Sequence, residues 1–188
     1  SRDTIEYCKT LGAAIGIARG RGCWARCSFC SISSFYRGMK GSSYRVRDSR
    51  DVVDEIEFTG KKYNYDRFRF LDDVFVGPGR KGREQVTDLA EEILRRGLTI
   101  EYWISTRCDT VEEELFRLLK RSGLVSVFLG LESWCDESLN RLNKDVNANT
   151  NRTACEILKK LEVNFNASFI MFDAYSTLGN IAVNFEGI

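Results

Sequence analysis

Three cysteines stand close together in the run Gly22-Cys-Trp-Ala-Arg-Cys-Ser-Phe-Cys30, a C-x3-C-x2-C spacing that follows an apolar stretch from Leu11 to Ala18. Three thiolates on one tight loop can each take a corner of a [4Fe-4S] cube and leave the fourth iron uncovered, whereas a closed cluster or a structural zinc site needs four ligands. The chain has no His to complete such a set and no second C-x2-C pair. Cys23, Cys27 and Cys30 are therefore the candidate ligands of an open iron–sulfur cluster. The bland alternative is three buried thiols brought together by chance. Cys8, Cys108, Cys135 and Cys155 are scattered and read as small buried hydrophobes.

Such a loop needs a scaffold. Strand-like runs rich in aliphatic and aromatic residues are expected over 13–18, 68–71, 100–105, 125–131 and 165–172. Amphipathic helical segments alternate with them: one opening at Asp48 or Ser49, one over 84–96 ahead of Gly97, one from Thr110 to near Gly123, and one over 150–161. Apolar strands joined by helical crossovers imply an α/β fold with a parallel sheet covered by helices. We read it as a partial (β/α)6 barrel of the TIM-like kind. Chemistry in such barrels gathers at the carboxyl ends of the strands. Those ends are polar here: the cysteine loop, Asp72-Asp73, Ser105-Thr-Arg107, Glu132-Ser133 and Asp173. Acids and an arginine at the mouth of an apolar barrel are costly unless they pair or hold a ligand.

Composition agrees with a compact enzyme domain. A hydrophobic share of 43% over 188 residues supplies one sizeable core, and a net charge of +1 argues against a dedicated nucleic-acid or membrane-surface protein. The balance is uneven: residues 1–50 hold ten Lys or Arg against Asp3, Glu6 and Asp48, so the first quarter is +7 and the remainder −6. These cations suit an anionic cluster, or form a solvated face. The polar start carries no export signal, no apolar stretch approaches bilayer length, and seven cysteines fit a reducing compartment, so a cytoplasmic location is expected.

The cysteine triple, with Phe29 before its last member, resembles the signature of the radical S-adenosylmethionine (radical SAM) enzymes. The resemblance extends through Gly20-Arg21-Gly22, Arg45-Val-Arg-Asp-Ser49, Phe70-Leu-Asp-Asp-Val-Phe75, Thr106-Arg-Cys-Asp109, Phe128-Leu-Gly-Leu-Glu-Ser133, Leu142-Asn-Lys144 and Phe169-Ile-Met-Phe-Asp173. Their order is similar to that of the subgroup whose members carry a cobalamin-binding domain upstream. The resemblance implies a [4Fe-4S] cluster on Cys23, Cys27 and Cys30, with S-adenosylmethionine (SAM) on the open iron. It implies that Asp72 and Asp73 contact the SAM amino group, in place of the common Gly-Gly-Glu, and that Glu132 and Ser133 lie near the ribose or amino acid moiety. Arg107 would meet a carboxylate or pair with Glu132 or Asp109. Phe29 would stack near the adenine, and Ile170 to Phe172 would line its apolar side.

The implied reaction is reductive SAM cleavage to a 5′-deoxyadenosyl radical, in service of cobalamin-dependent methylation of a small-molecule or peptide substrate. Flavodoxin or ferredoxin would supply the electron. Five strands where the family has six suggest one core domain over 1–188 that is incomplete at its C-terminus, a fragment or the ordered part of a longer chain. Alternatives are methylthio transfer to RNA or protein, which needs a second three-cysteine cluster, and a non-catalytic cluster module for electron transfer or nucleic-acid binding. Arginines without interleaved aromatics make nucleic acid a poor partner.

Overall fold

A computed structural model describes residues 2–38 and 41–187. Lys40 of the basic first quarter and Ile188 lie outside the described residues. The chain opens with α1 (Arg2–Thr10), β1 (Ile15–Ile17) and β2 (Gly20–Gly22), then α2 (Ser31–Arg37) and β3 (Tyr44–Val46). It continues with α3 (Ser49–Tyr63), β4 (Arg67–Phe70), α4 (Gly79–Arg95), β5 (Glu101–Arg107) and a 3-10 turn at Cys108–Thr110. The rest is α5 (Glu113–Arg121), β6 (Leu124–Glu132), α6 (Asp136–Arg141), α7 (Ala148–Lys160), β7 (Asn164–Phe169) and α8 (Leu178–Glu186).

All five strand runs expected from sequence join one parallel sheet in the order β1-β4-β5-β6-β7, each crossover made through helices. That is the partial barrel expected. One face of the sheet packs the core: Phe68, Phe70, Tyr102, Ile104, Val127 and Leu129 meet the helices through residues such as Val53, Ile56, Leu89, Ile93, Phe116 and Leu158. The pleat turns alternate residues to the concave face, so β4 reads Arg-Phe-Arg-Phe with only its phenylalanines fully buried.

Local chemistry sets the helix ends. Asp48 caps α3 by accepting from the Arg50 amide at 2.9 Å, and Asn147 does the same for α7 with Thr150 at 2.8 Å. Helix α4 begins five residues earlier than expected, because Gly77 and Gly82 let the incoming loop lie against the first turn; a Cβ on Gly82 would fall 2.1 Å from the Gly77 carbonyl carbon. Helix α5 begins later than Thr110, whose hydroxyl instead donates to the Arg107 carbonyl at 2.8 Å and closes the 3-10 turn. The short ribbon of β2 and β3, with α1, α2 and α6, was not anticipated by the hydrophobic pattern.

Candidate active site at the carboxyl ends of the strands

The cysteine loop leaves β2 under tight control. Gly22 has φ of +82°, and a Cβ there would sit 1.9 Å from the Ser43 carbonyl oxygen, so only glycine fits. Asp73 accepts from the Gly22 amide at 2.7 Å. Asp72 accepts from the amides of Arg19 and Gly20 at 3.0 and 2.9 Å and from Arg19 Nε at 3.0 Å. The adjacent acids thus grip the chain entering the loop. On the far side the Ser28 amide donates to Leu142 O at 2.9 Å and Asn143 Nδ2 to Arg26 O at 2.7 Å.

Held this way, Cys23, Cys27 and Cys30 border one cavity of about 170 Å³, whose other walls include Phe29, Asp73, Arg107, Phe128, Glu132 and Lys144. All three thiols are free. Burial pushes the Cys23 thiol up, and Cys27 and Cys30 add to that effect, while the Ala25 amide and Arg107 oppose it. Deprotonated, three cysteine sulfurs around one cavity suit a cationic guest. Among the described residues no three His, Cys, Asp or Glu side chains converge on a point as a single metal ion requires. A [4Fe-4S] cube takes its thiolates at separate corners, a donor set that three free cysteines bordering one cavity can supply. Trp24, inside the loop, offers a buried Nε1 without a hydrogen-bond partner among the described residues.

Arg107 lies 5% exposed behind the thiols. It pairs with Asp109 at 2.8 and 3.0 Å, donates to the Lys144 carbonyl at 2.5 Å and to Cys27 Sγ at 3.4 Å, and its guanidinium sits 4.8 Å from the Trp24 ring centroid. Of its two expected partners, Asp109 is the one it has. Glu132 is taken by Lys144 at 2.9 Å and by the Ser168 hydroxyl at 2.9 Å. Gly130 makes room for that pair: a Cβ there would approach Lys144 Nζ to 3.0 Å and Glu132 Oε1 to 3.1 Å. Glu132 itself has φ of +70° at an irregularity in the β6–β7 register, a strained backbone of the kind that collects at functional sites.

Among the residues named from sequence, the three cysteines, Phe29, Asp73, Arg107 and Glu132 come together on the cavity. Five others do not. Asp72 is turned away, its carboxylate engaged by Arg19 and two amides, because adjacent residues leaving a strand point to opposite sides. Ser133 is fully buried toward α8, donating to Asn184 Oδ1 at 2.8 Å and accepting from the Cys135 amide at 3.0 Å. The segment Ile170 to Phe172 lies outside the lining, Ile170 and Met171 half-buried and Phe172 exposed, and the Ile170 amide donates to Glu132 O at 2.7 Å. Lys144 and Ser168 received no role from sequence; the only signal for Lys144 was its place in the Leu142-Asn-Lys144 motif.

The model of the radical SAM superfamily matches residues 17–174. The chain belongs to that superfamily. It is 33% identical over 153 residues to the anaerobic magnesium-protoporphyrin IX monomethyl ester cyclase of Rubrivivax gelatinosus, covering 80% of this chain and 26% of that one. It is 30% identical over 170 residues to the hopanoid C-3 methylase of Methylococcus capsulatus, covering 87% and 31%. Among solved structures, the cobalamin-dependent SAM radical enzyme OxsB, with aqua-cobalamin and SAM bound, superposes with a TM-score of 0.82 at 25% identity over 95% of this chain and 26% of its own. The methyltransferase TsrM from Kitasatospora setae shares the fold, with a TM-score of 0.80 at 19% identity over 97% of this chain and 35% of its own. The chain thus spans about a quarter to a third of these relatives' length.

Proposed function

We propose that this protein carries a [4Fe-4S] cluster on Cys23, Cys27 and Cys30 and uses it to cleave SAM reductively, in service of a cobalamin-dependent methylation. When bound, the cluster supplies an open iron and one electron, from which family chemistry yields methionine and a 5′-deoxyadenosyl radical. The observation that carries this reading is the set of three free thiols bordering one cavity at the carboxyl ends of the strands.

The chain's own residues do the positioning. Arg107, held by Asp109, sets a fixed positive charge beside Cys27 and offsets the thiolates. Lys144 is oriented by Glu132 with its ammonium 5.7 Å from the Phe29 ring centroid, where it can meet a ligand carboxylate. Asp73 is the acid left at the cavity to receive an ammonium, and Phe29 offers a ring face to a base. Phe128 is the apolar wall that sheds water from the reacting region. The substrate is a small molecule or peptide, and the electron comes from a flavodoxin or ferredoxin. Seven unpaired cysteines suit a reducing, cytoplasmic setting, and among the described residues no helix is long and apolar enough to cross a membrane.

Anaerobic reconstitution with iron and sulfide, followed by dithionite and SAM, tests the reading. It yields 5′-deoxyadenosine, and the electron paramagnetic resonance signal of the reduced cluster changes when SAM is added. A fully loaded cluster that leaves SAM intact overturns the proposal.

A further inference from the structure

The β2–β3 ribbon carries a charge arrangement that neither the core nor the cavity accounts for. In its antiparallel register Arg21 stands directly opposite Arg45, and both side chains are exposed. Like charges in that position destabilise a strand pair, and this pair has only three residues a side. Neither arginine has a hydrogen-bond or ion-pair partner among the described residues, whereas their neighbours do: Arg19 is paired with Asp72 and Arg47 with Glu55. Arg19, Arg21, Arg45 and Arg47 border an open groove of about 350 Å³. Arg26 in the cysteine loop is exposed and likewise unpaired among the described residues, whereas Arg50 at the start of α3 faces a separate groove lined by Asp48, Asp88, Glu91 and Glu92.

The position of the patch gives the charge a use. Arg21 is two residues from Cys23, so their backbones are at most about 7 Å apart. A cluster on the three cysteines must receive an electron from outside the protein. A broad, exposed patch of one sign speeds and orients the encounter with a partner of the other sign. A small anion is the poorer fit, because the unpaired guanidiniums of Arg21 and Arg45 stand on an exposed ribbon and not in an enclosed site.

We propose that the β2–β3 ribbon is the docking surface for an acidic one-electron carrier protein of the flavodoxin or ferredoxin kind. The inference rests on the cluster reading given above. No atom is transferred at this surface: the reduced carrier loses one electron and the oxidised cluster gains it.

The double variant Arg21→Gln/Arg45→Gln tests the idea against Arg121→Gln/Arg152→Gln, which removes two unpaired, exposed arginines from α5 and α7. The probe is a flavodoxin. Its affinity for cluster-free protein is measured by calorimetry at low and high salt. Its rate of cluster reduction is compared with that of photoreduced deazaflavin, a small neutral donor. The ribbon variant is expected to lower both the affinity and the flavodoxin-to-deazaflavin rate ratio by about tenfold at low salt and to flatten the salt dependence. Its thermal midpoint holds or rises, since a repulsive pair has been removed. Wild-type behaviour of the ribbon variant, an equal loss in the control pair, or no flavodoxin binding by the wild-type protein overturns the proposal. SAM cleavage driven by deazaflavin reports separately on the proposed function, so the two failures are distinguishable.

Discussion

The mouth of the sheet and the outer helices use the same ion-pairing residues to different ends. At the mouth, Arg19–Asp72 and Lys144–Glu132 have side chains 1%/1% and 5%/7% exposed. On the helices, Arg80–Glu84 is 87%/54% exposed and Arg117–Glu114 is 49%/90%. Pairs in water gain little, because solvent screens them and long side chains must be ordered. Buried pairs are not stabilising by their existence either, but losing one partner strands a charge where water cannot reach it. The mouth pairs therefore act as fixed anchors for the cysteine loop and the cavity wall, and the outer pairs keep the helices soluble. Arg96 lies between these limits, sharing Asp54, Glu57 and Glu92 across α3 and α4.

The contrast can be broken most completely at the cysteines. Single replacement of Cys23, Cys27 or Cys30 by Ser is expected to abolish cluster absorbance and reduce 5′-deoxyadenosine to background, while Cys155→Ser, on α7, retains both. Next in size is Asp72→Ala, which leaves the Arg19 guanidinium buried and unpaired and should cost about 3–5 kcal/mol in urea unfolding. The double variant Arg19→Met/Asp72→Leu should recover a large part of that loss. Lys144→Met is expected to cost slightly less, about 2–4 kcal/mol, because Glu132 keeps the Ser168 hydroxyl.

A smaller effect sharpens the comparison on the helical side. Arg95 and Arg96 hold the Glu92 carboxyl at about 2, below its ordinary 4.5. The folded protein thus binds this proton less readily than the unfolded chain, so the contribution of Glu92 is present above pH 4.5 and disappears as pH falls toward 2. Thermal midpoints at pH 5 and pH 3 should show a smaller acid loss in Glu92→Gln than in the wild type. The smallest expected effect is Arg80→Ala, within about 0.5 kcal/mol by the same unfolding assay.

Sequence alone was most informative where covalent spacing carries the information. The C-x3-C-x2-C run needs no tertiary structure to be read, and five apolar runs sufficed for the parallel sheet and its order of helical crossovers. The ribbon escaped because its strands are only three residues long, Gly-Arg-Gly and Tyr-Arg-Val, too short for an alternating apolar signal to stand out from loop. Within the site, errors arose where one residue of register decides direction. Asp72 and Asp73 look equivalent as a pair, yet the pleat sends one to Arg19 and the other to the cavity. Ser133 follows a left-handed Glu132 that turns the strand end toward α8, a turn that side-chain chemistry does not announce. Lys144 reaches the cavity only because α6 and its following turn fold back beside the cysteine loop.

The acids that steady the entry to the cysteine loop lie 51 to 53 positions after the amides they accept from. A nascent chain emerging from its N-terminus presents the three thiols long before Asp72 and Asp73 exist to fasten them. Assembly therefore has a built-in order: β4, which leads into the acids, must be made and paired before the loop takes its final shape. Iron that arrived earlier would meet a floppy trio of sulfurs in place of a finished socket.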